Sequence, residues 1–121
     1  MNRIFDRVVG SMQTTNATVT TAATYAVPDD SVIAVDVTVI CKTMGNVKRF
    51  STKSIFFRTG GGVATEAGDP LEVLSSQGSV SLVTATILLE ANGNNIRVRV
   101  TGVLLTTIDW DYSIETHIFT P

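Results

Sequence analysis

Two segments near the C-terminal end alternate between apolar and polar residues, and this period constrains the fold more than any other feature. In residues 96–100 isoleucine and valine alternate with arginine, and in residues 108–118 large apolar side chains alternate with acidic, serine and histidine residues. Successive side chains of a β-strand point to opposite faces of its sheet. The period of two therefore predicts two strands, each with one buried and one solvated face.

Four further segments predict strands, because they are rich in valine, isoleucine, threonine and phenylalanine and show no long helical period. They cover residues 19–27, 32–41, 47–58 and 80–89. Turn-forming residues separate the segments, notably at 44–46 and 91–94. This spacing predicts an all-β fold, either a sandwich or a small barrel, and we favour a jelly-roll-like antiparallel β-sandwich. Further short strands are expected at 63–65 and 71–74.

The first residues differ from the rest of the chain, because their apolar side chains recur at helical spacing. The set consists of Ile4, Phe5, Val8, Val9 and Met12. This spacing predicts a short amphipathic helix over residues 3–12, within an N-terminal arm of residues 1–15 that precedes a sandwich domain of residues 16–121. Two interpretations stay open: the five side chains pack on the domain's own core, or they dock on a neighbouring subunit.

Length, charge and cysteine content narrow the class of protein. A chain of 121 residues has room for one domain, and its formal net charge of −2 provides no positive field for nucleic acid or anionic lipid. Asp6 and Arg7 interrupt the apolar stretch that a signal peptide would need, and no window approaches the ~20 apolar residues of a membrane span. The single cysteine excludes an intramolecular disulfide and a cysteine-based zinc site. We expect a soluble protein that is made without cleavage and binds neither nucleic acid nor membrane.

Few residues are candidates for catalysis. The single histidine, His117, falls on the polar face of the last strand, whereas Cys41 falls on an apolar face. A Cys–His dyad would therefore need two side chains that point apart. Residues 60–62 are three glycines without the lysine of a phosphate-binding loop, so a turn is the simpler interpretation. We expect no enzymatic activity and no cofactor.

Three carboxylates, those of Asp109, Asp111 and Glu115, share the polar face of the last strand. Paired catalytic carboxylates or calcium ligands are one interpretation. Arg97 and Arg99 take the corresponding face of the preceding strand, so ion pairs between these two strands are the simpler interpretation. We therefore expect no metal site.

Residues 48–58 form the only basic stretch, and phenylalanines interleave with its lysines and arginines. Such a mixture can bind single-stranded nucleic acid by stacking. The aromatic residues fall on both faces of a predicted central strand, however, which favours core filling. The basic side chains are then free to face an acidic protein partner.

Three longer segments carry these features in a recognisable order. Residues 14–43 contain a threonine-rich strand, a proline-acidic turn and a valine-rich strand, and residues 49–70 contain a basic-aromatic strand and a glycine loop. Residues 85–116 contain a hairpin that closes on Val-Thr-Gly and a last strand with tryptophan. This order resembles a β-sandwich module of tailed-bacteriophage virion structural proteins, over residues 13–117. The resemblance implies no catalytic residues for this chain.

The resemblance implies a virion protein, made in the host cytoplasm and often trimeric. Because little chain remains for an anchor or a shaft, we expect a capsid decoration, or cement, protein on the capsid surface. Such a homotrimer would bind the major capsid protein and stabilise the assembled shell, with the five apolar arm residues as capsid or subunit contacts. The alternative is a tail-fibre, spike or head-fibre module that recognises a host-surface glycan.

Overall fold

The computed structural model describes residues 2–67 and 75–120 and contains strands and one short 3-10 turn in that part of the chain. The strands are β1 (Asn2–Thr14), β2 (Val19–Ala26), β3 (Ser31–Thr43), β4 (Asn46–Arg58), β5 (Thr65–Glu66), β6 (Ser75–Gly78), β7 (Thr86–Asn92), β8 (Asn95–Thr101) and β9 (Ile108–Thr120). The predicted strand at 71–74 lies outside the described residues. No helix in the described ranges is long and apolar enough to cross a bilayer.

Across the described residues, the strands form two antiparallel sheets that pack face to face, which confirms the predicted all-β sandwich. The larger sheet has the order β1-β9-β3-β4, with β5 and β6 both pairing with the far edge of β4. The smaller sheet has the order β2-β8-β7. The β3–β4 hairpin closes through Met44 and Gly45, whose φ angles of 41° and 85° are those that a type I′ turn requires.

The core lies between the two sheets and follows the predicted alternation. In β3 the odd-numbered residues are buried, and in β4 and β9 the buried residues are even-numbered. Trp110 is fully buried between the sheets, with its ring stacked on Phe50 at 6.1 Å between centroids. Its indole Nε1 donates a hydrogen bond to Thr14 Oγ1 at 2.8 Å, so the tryptophan also fixes the end of β1.

Residues 3–12 do not form the predicted helix. They belong to β1, which pairs antiparallel with β9 along its whole length. A lone helix of this length is marginal in water, whereas a strand beside β9 satisfies its backbone groups on that side. The arm predicted over residues 1–15 thus supplies an edge strand of the larger sheet.

The strand predicted over residues 80–89 begins later than expected. Val80–Leu82 form a 3-10 turn, and β7 starts at Thr86. The turn faces the side chain of Lys48, whose ammonium group donates to backbone carbonyls between residues 82 and 85. These carbonyls have a side-chain partner, so the segment is stable without a ladder of strand hydrogen bonds.

Candidate functional site at the outer face and free edge of the larger sheet

One face of the larger sheet packs on the smaller sheet, and the other is open to solvent. We call the open side the outer face. It consists of odd-numbered residues of β1, β4 and β9 and even-numbered residues of β3, as the strand registers require. These four strands make a broad, nearly continuous surface, in contrast to the enclosed pockets that usually hold small ligands.

A row of charges crosses the middle of the outer face. The register places Arg7, Glu115, Asp36 and Lys53 side by side on four neighbouring strands. Arg7 Nε lies 4.0 Å from Glu115 Oε1, and Lys53 Nζ lies 3.8 Å from Asp36 Oδ2. The two carboxylates are cross-strand neighbours, which is unfavourable alone, and the cations on both sides offset their repulsion. Because these side chains are exposed, each pair contributes only about 0–1 kcal/mol.

Apolar side chains surround this charged row and remain in contact with solvent. The exposed set on the outer face consists of Phe5, Val9, Val32, Ile40, Val47 and Ile55. Phe5 is 57% exposed and Val9 63% exposed. The Phe5 ring lies 5.0 Å from the ring of His117. His117, Ala34 and Ile55 line a shallow depression of about 420 Å³. Exposed apolar side chains and paired charges thus lie next to each other on this face.

The three carboxylates of β9 have partners, but not the partners expected from the sequence. Asp111 lies 3.6 Å from Lys42 Nζ, and Asp109 accepts a hydrogen bond of 2.9 Å from Gln13 Nε2. Glu115 belongs to the charged row. These residues are spread along the strand, and the described residues contain no group of three or more potential metal ligands.

The expected ion pairs between the last two strands do not form, because β8 and β9 belong to different sheets. Arg97 and Arg99 instead face Glu90 of β7, with nitrogen–oxygen distances of 2.6 and 3.9 Å. The segment between Thr101 and Ile108 carries the chain from the smaller sheet to the larger one. The prediction that these charged residues pair across strands was correct, but the predicted partners were wrong.

Cys41 and His117 lie on opposite faces of the larger sheet, so the structure does not bring them together. Cys41 faces the core and is fully buried, and this burial raises the pKa of its thiol above the usual value. His117 faces outward beside Phe5. A buried neutral thiol is a poor nucleophile, because the thiolate is the reactive form.

Strand β1 lies at one edge of the larger sheet and has no partner strand on its other side among the described residues. The five predicted contact residues are divided between its faces. Phe5 and Val9 point to the outer face, whereas Ile4, Val8 and Met12 point to the inner face. Met12 packs against the core, but Ile4 and Val8 stay exposed because the smaller sheet does not cover them.

A tyrosine from the smaller sheet holds the middle of β1 in place. The Tyr25 hydroxyl donates a hydrogen bond to Asp6 Oδ2 at 2.8 Å and accepts one from Thr116 Oγ1 at 3.0 Å. Partial burial raises the pKa of Tyr25, and the nearby Asp6 carboxylate raises it further, while the bond from Thr116 opposes the shift. The neutral phenol is thus kept as a bridge between β2, β1 and β9.

One end of the sandwich carries a second set of exposed apolar side chains, which the sequence analysis missed. Met44, Val80, Val83, Leu104 and Leu105 all lie in turns at this end, and Leu105 is 91% exposed. Leu105 also has a φ of 54°, which a β-branched or bulky residue rarely adopts. Little in the sequence indicates that Leu104 and Leu105 are exposed, because adjacent leucines outside an alternating run are also typical of buried segments.

Comparison with known proteins gives a remote structural likeness. No family model and no curated protein matches the chain. The crystal structure of the tailspike protein of Acinetobacter baumannii phage AM24 aligns with 94% of this chain, at 9% identity and a TM-score of 0.49. The chain spans 26% of that protein. A likeness this remote carries no argument about function.

Proposed function

We propose that this chain is a structural protein of a tailed-phage virion that decorates the capsid surface and stabilises the assembled shell. The observation that carries the proposal is the outer face, a broad surface with exposed apolar side chains and paired charges. Its shape suits docking on another protein surface better than enclosing a substrate. The order of sequence features that resembles phage virion modules supports the same setting.

The proposed partner is the major capsid protein, and the proposed mechanism is adhesion without catalysis. Each docked copy lowers the free energy of the assembled shell, since a ligand that binds only the native assembly stabilises it by mass action. Several copies in one homo-oligomer reinforce weak individual contacts by avidity. The resemblance implies three copies, and the chain would reach the capsid after synthesis in the host cytoplasm.

Phe5 and Val9 are the arm residues best placed to contact the capsid, because both are exposed on the outer face. Deleting the arm is a poor test, since it would remove one of the two partner strands of β9. We instead expect the double variant F5E/V9E to fold normally and to lose about tenfold or more in affinity for expanded capsids, as central apolar contacts at interfaces do. Cosedimentation with capsids that lack the protein measures the affinity.

Leu105→Asn is the control, because it removes an apolar side chain that is even more exposed, at 91%, from the end of the sandwich. Asparagine also tolerates the positive φ at this position. The control should bind capsids as the unchanged protein does. If L105N loses binding while F5E/V9E retains it, the contact lies at the end of the sandwich and the proposed surface is wrong. Binding to a glycan array without binding to capsids would favour the fibre alternative.

A further inference from the structure

We infer that the free edge of β1 pairs with β1 of a second copy of this chain, antiparallel and about a two-fold axis through Val8. The inference gives the arm a partner and takes two copies in place of the three that the resemblance implies, and it rests on the proposed function only for its biological setting. An unpaired edge strand exposes a row of backbone donors and acceptors, and proteins usually keep such edges short, charged or covered. Here the edge is 13 residues long and carries exposed apolar side chains on both faces.

The arrangement of charges selects one register. With Val8 opposite its own copy, all of β1 is paired: Ile4 faces Met12 of the copy, Asp6 faces Gly10 and Arg7 faces Val9. No like charges meet in this register. Moving the axis to Arg7 or Asp6 places that residue opposite itself, and like charges directly opposite are destabilising. Moving the axis toward Thr14 avoids this repulsion but leaves more of the edge unpaired.

The exposed residues of the inner face also support a second copy of this chain as the partner of β1. Ile4 and Val8 point toward the side of the smaller sheet, yet their own smaller sheet leaves them 54% and 37% exposed. In the two-fold pair Ile4, Val8 and Met12 meet apolar counterparts along one strip, in which Asp6 and Gly10 of each copy stand between the apolar pairs. Burial of this strip supplies the hydrophobic contribution that backbone pairing alone lacks. The outer faces of the two copies then join into one surface of double width.

Residue 8 faces residue 8 of the copy across the two-fold axis, so a charge placed there meets an identical charge. We expect the unchanged protein to sediment in analytical ultracentrifugation at twice its 12.9 kDa chain mass. V8K and V8E should each be monomeric, because like charges face each other. A one-to-one mixture of the two should regain the dimer mass, because the charges are then opposite. V47K, at an exposed valine on the distant strand β4, should stay dimeric.

The unchanged protein decides the test even if a variant fails to fold. A monomer or a trimer would overturn the two-fold pairing, and a trimer would agree with the number that the phage resemblance implies. Dimeric V8K and V8E, or a mixture that stays monomeric, would overturn the proposed register. If the unchanged protein is a monomer that still binds capsids, the two-fold pairing is wrong and the proposed function stands. If it is a dimer that binds no capsid, the pairing stands and the proposed function is wrong.

Discussion

Replacing Trp110 with alanine is expected to lower the free energy of unfolding by about 3–5 kcal/mol. Trp110 is fully buried between the sheets, stacks on Phe50 and donates a hydrogen bond to Thr14. The substitution leaves a large cavity and removes the contact that fixes the end of β1. A domain of this size has only about 5–15 kcal/mol of stability in total. Urea denaturation followed by far-ultraviolet circular dichroism measures the loss.

Two milder variants separate the packing of Trp110 from its hydrogen bond. W110F keeps most of the apolar volume and should lose less stability than W110A. T14V keeps the ring but leaves the buried indole N–H without its acceptor, at a cost of about 1–3 kcal/mol. If the free energy of unfolding of W110A lies within about 1 kcal/mol of that of the unchanged protein, the tryptophan does not hold the core as described.

Replacing Lys48 with methionine should lower the free energy of unfolding by about 2 kcal/mol, although methionine fills a similar volume. Lys48 is buried, and its Nζ donates to the carbonyl oxygens of Leu82, Val83 and Ala85 at 3.1, 3.2 and 2.8 Å. The variant leaves these three acceptors without their charged donor. Hydrogen exchange should also become faster in residues 79–85, where the turn depends on this contact.

Lys53→Met is the matched control, because Lys53 lies on the same strand with its side chain exposed on the outer face. Its ion pair with Asp36 is open to solvent, so this variant should change stability by about 0.5 kcal/mol or less. Equal losses in K48M and K53M would show that the carbonyl contacts of Lys48 contribute nothing beyond an ordinary surface lysine.

The central strands were predictable from the sequence because their alternation reports directly which residues are buried. The odd-numbered residues of β3 and the even-numbered residues of β9 are the core residues, as the period of two indicates. The sequence also indicated the hairpin turns, where glycine supplies a positive φ at little cost. Lys48 was not predictable, because the turn that accepts its hydrogen bonds lies far along the chain.

The arm shows how a real pattern can fit two structures. Ile4, Val8 and Met12 are four residues apart, which places them on one face of a helix and equally on one face of a strand. The deciding fact is the partner strand β9, about a hundred residues away, and local spacing contains no information about it. The same limit explains the wrong partners assigned to the carboxylates of β9.

The candidate site was predictable in part. The five arm residues were named from the sequence, and the structure leaves four of them exposed, with Met12 packed against the core. The outer face itself depends on the order β1-β9-β3-β4, because only this order brings Arg7, Glu115, Asp36 and Lys53 into one row. Surfaces of this kind follow from strand register, which the sequence alone does not determine.

The most direct test of the proposed function is a density map of the intact virion by electron microscopy, with the chain fitted as a rigid sandwich. The account predicts density for the sandwich on the exterior of the capsid, with the outer face and Phe5 turned toward the major capsid protein. Density at the tail or at a fibre tip, or a capsid position with the outer face turned to solvent, would contradict it.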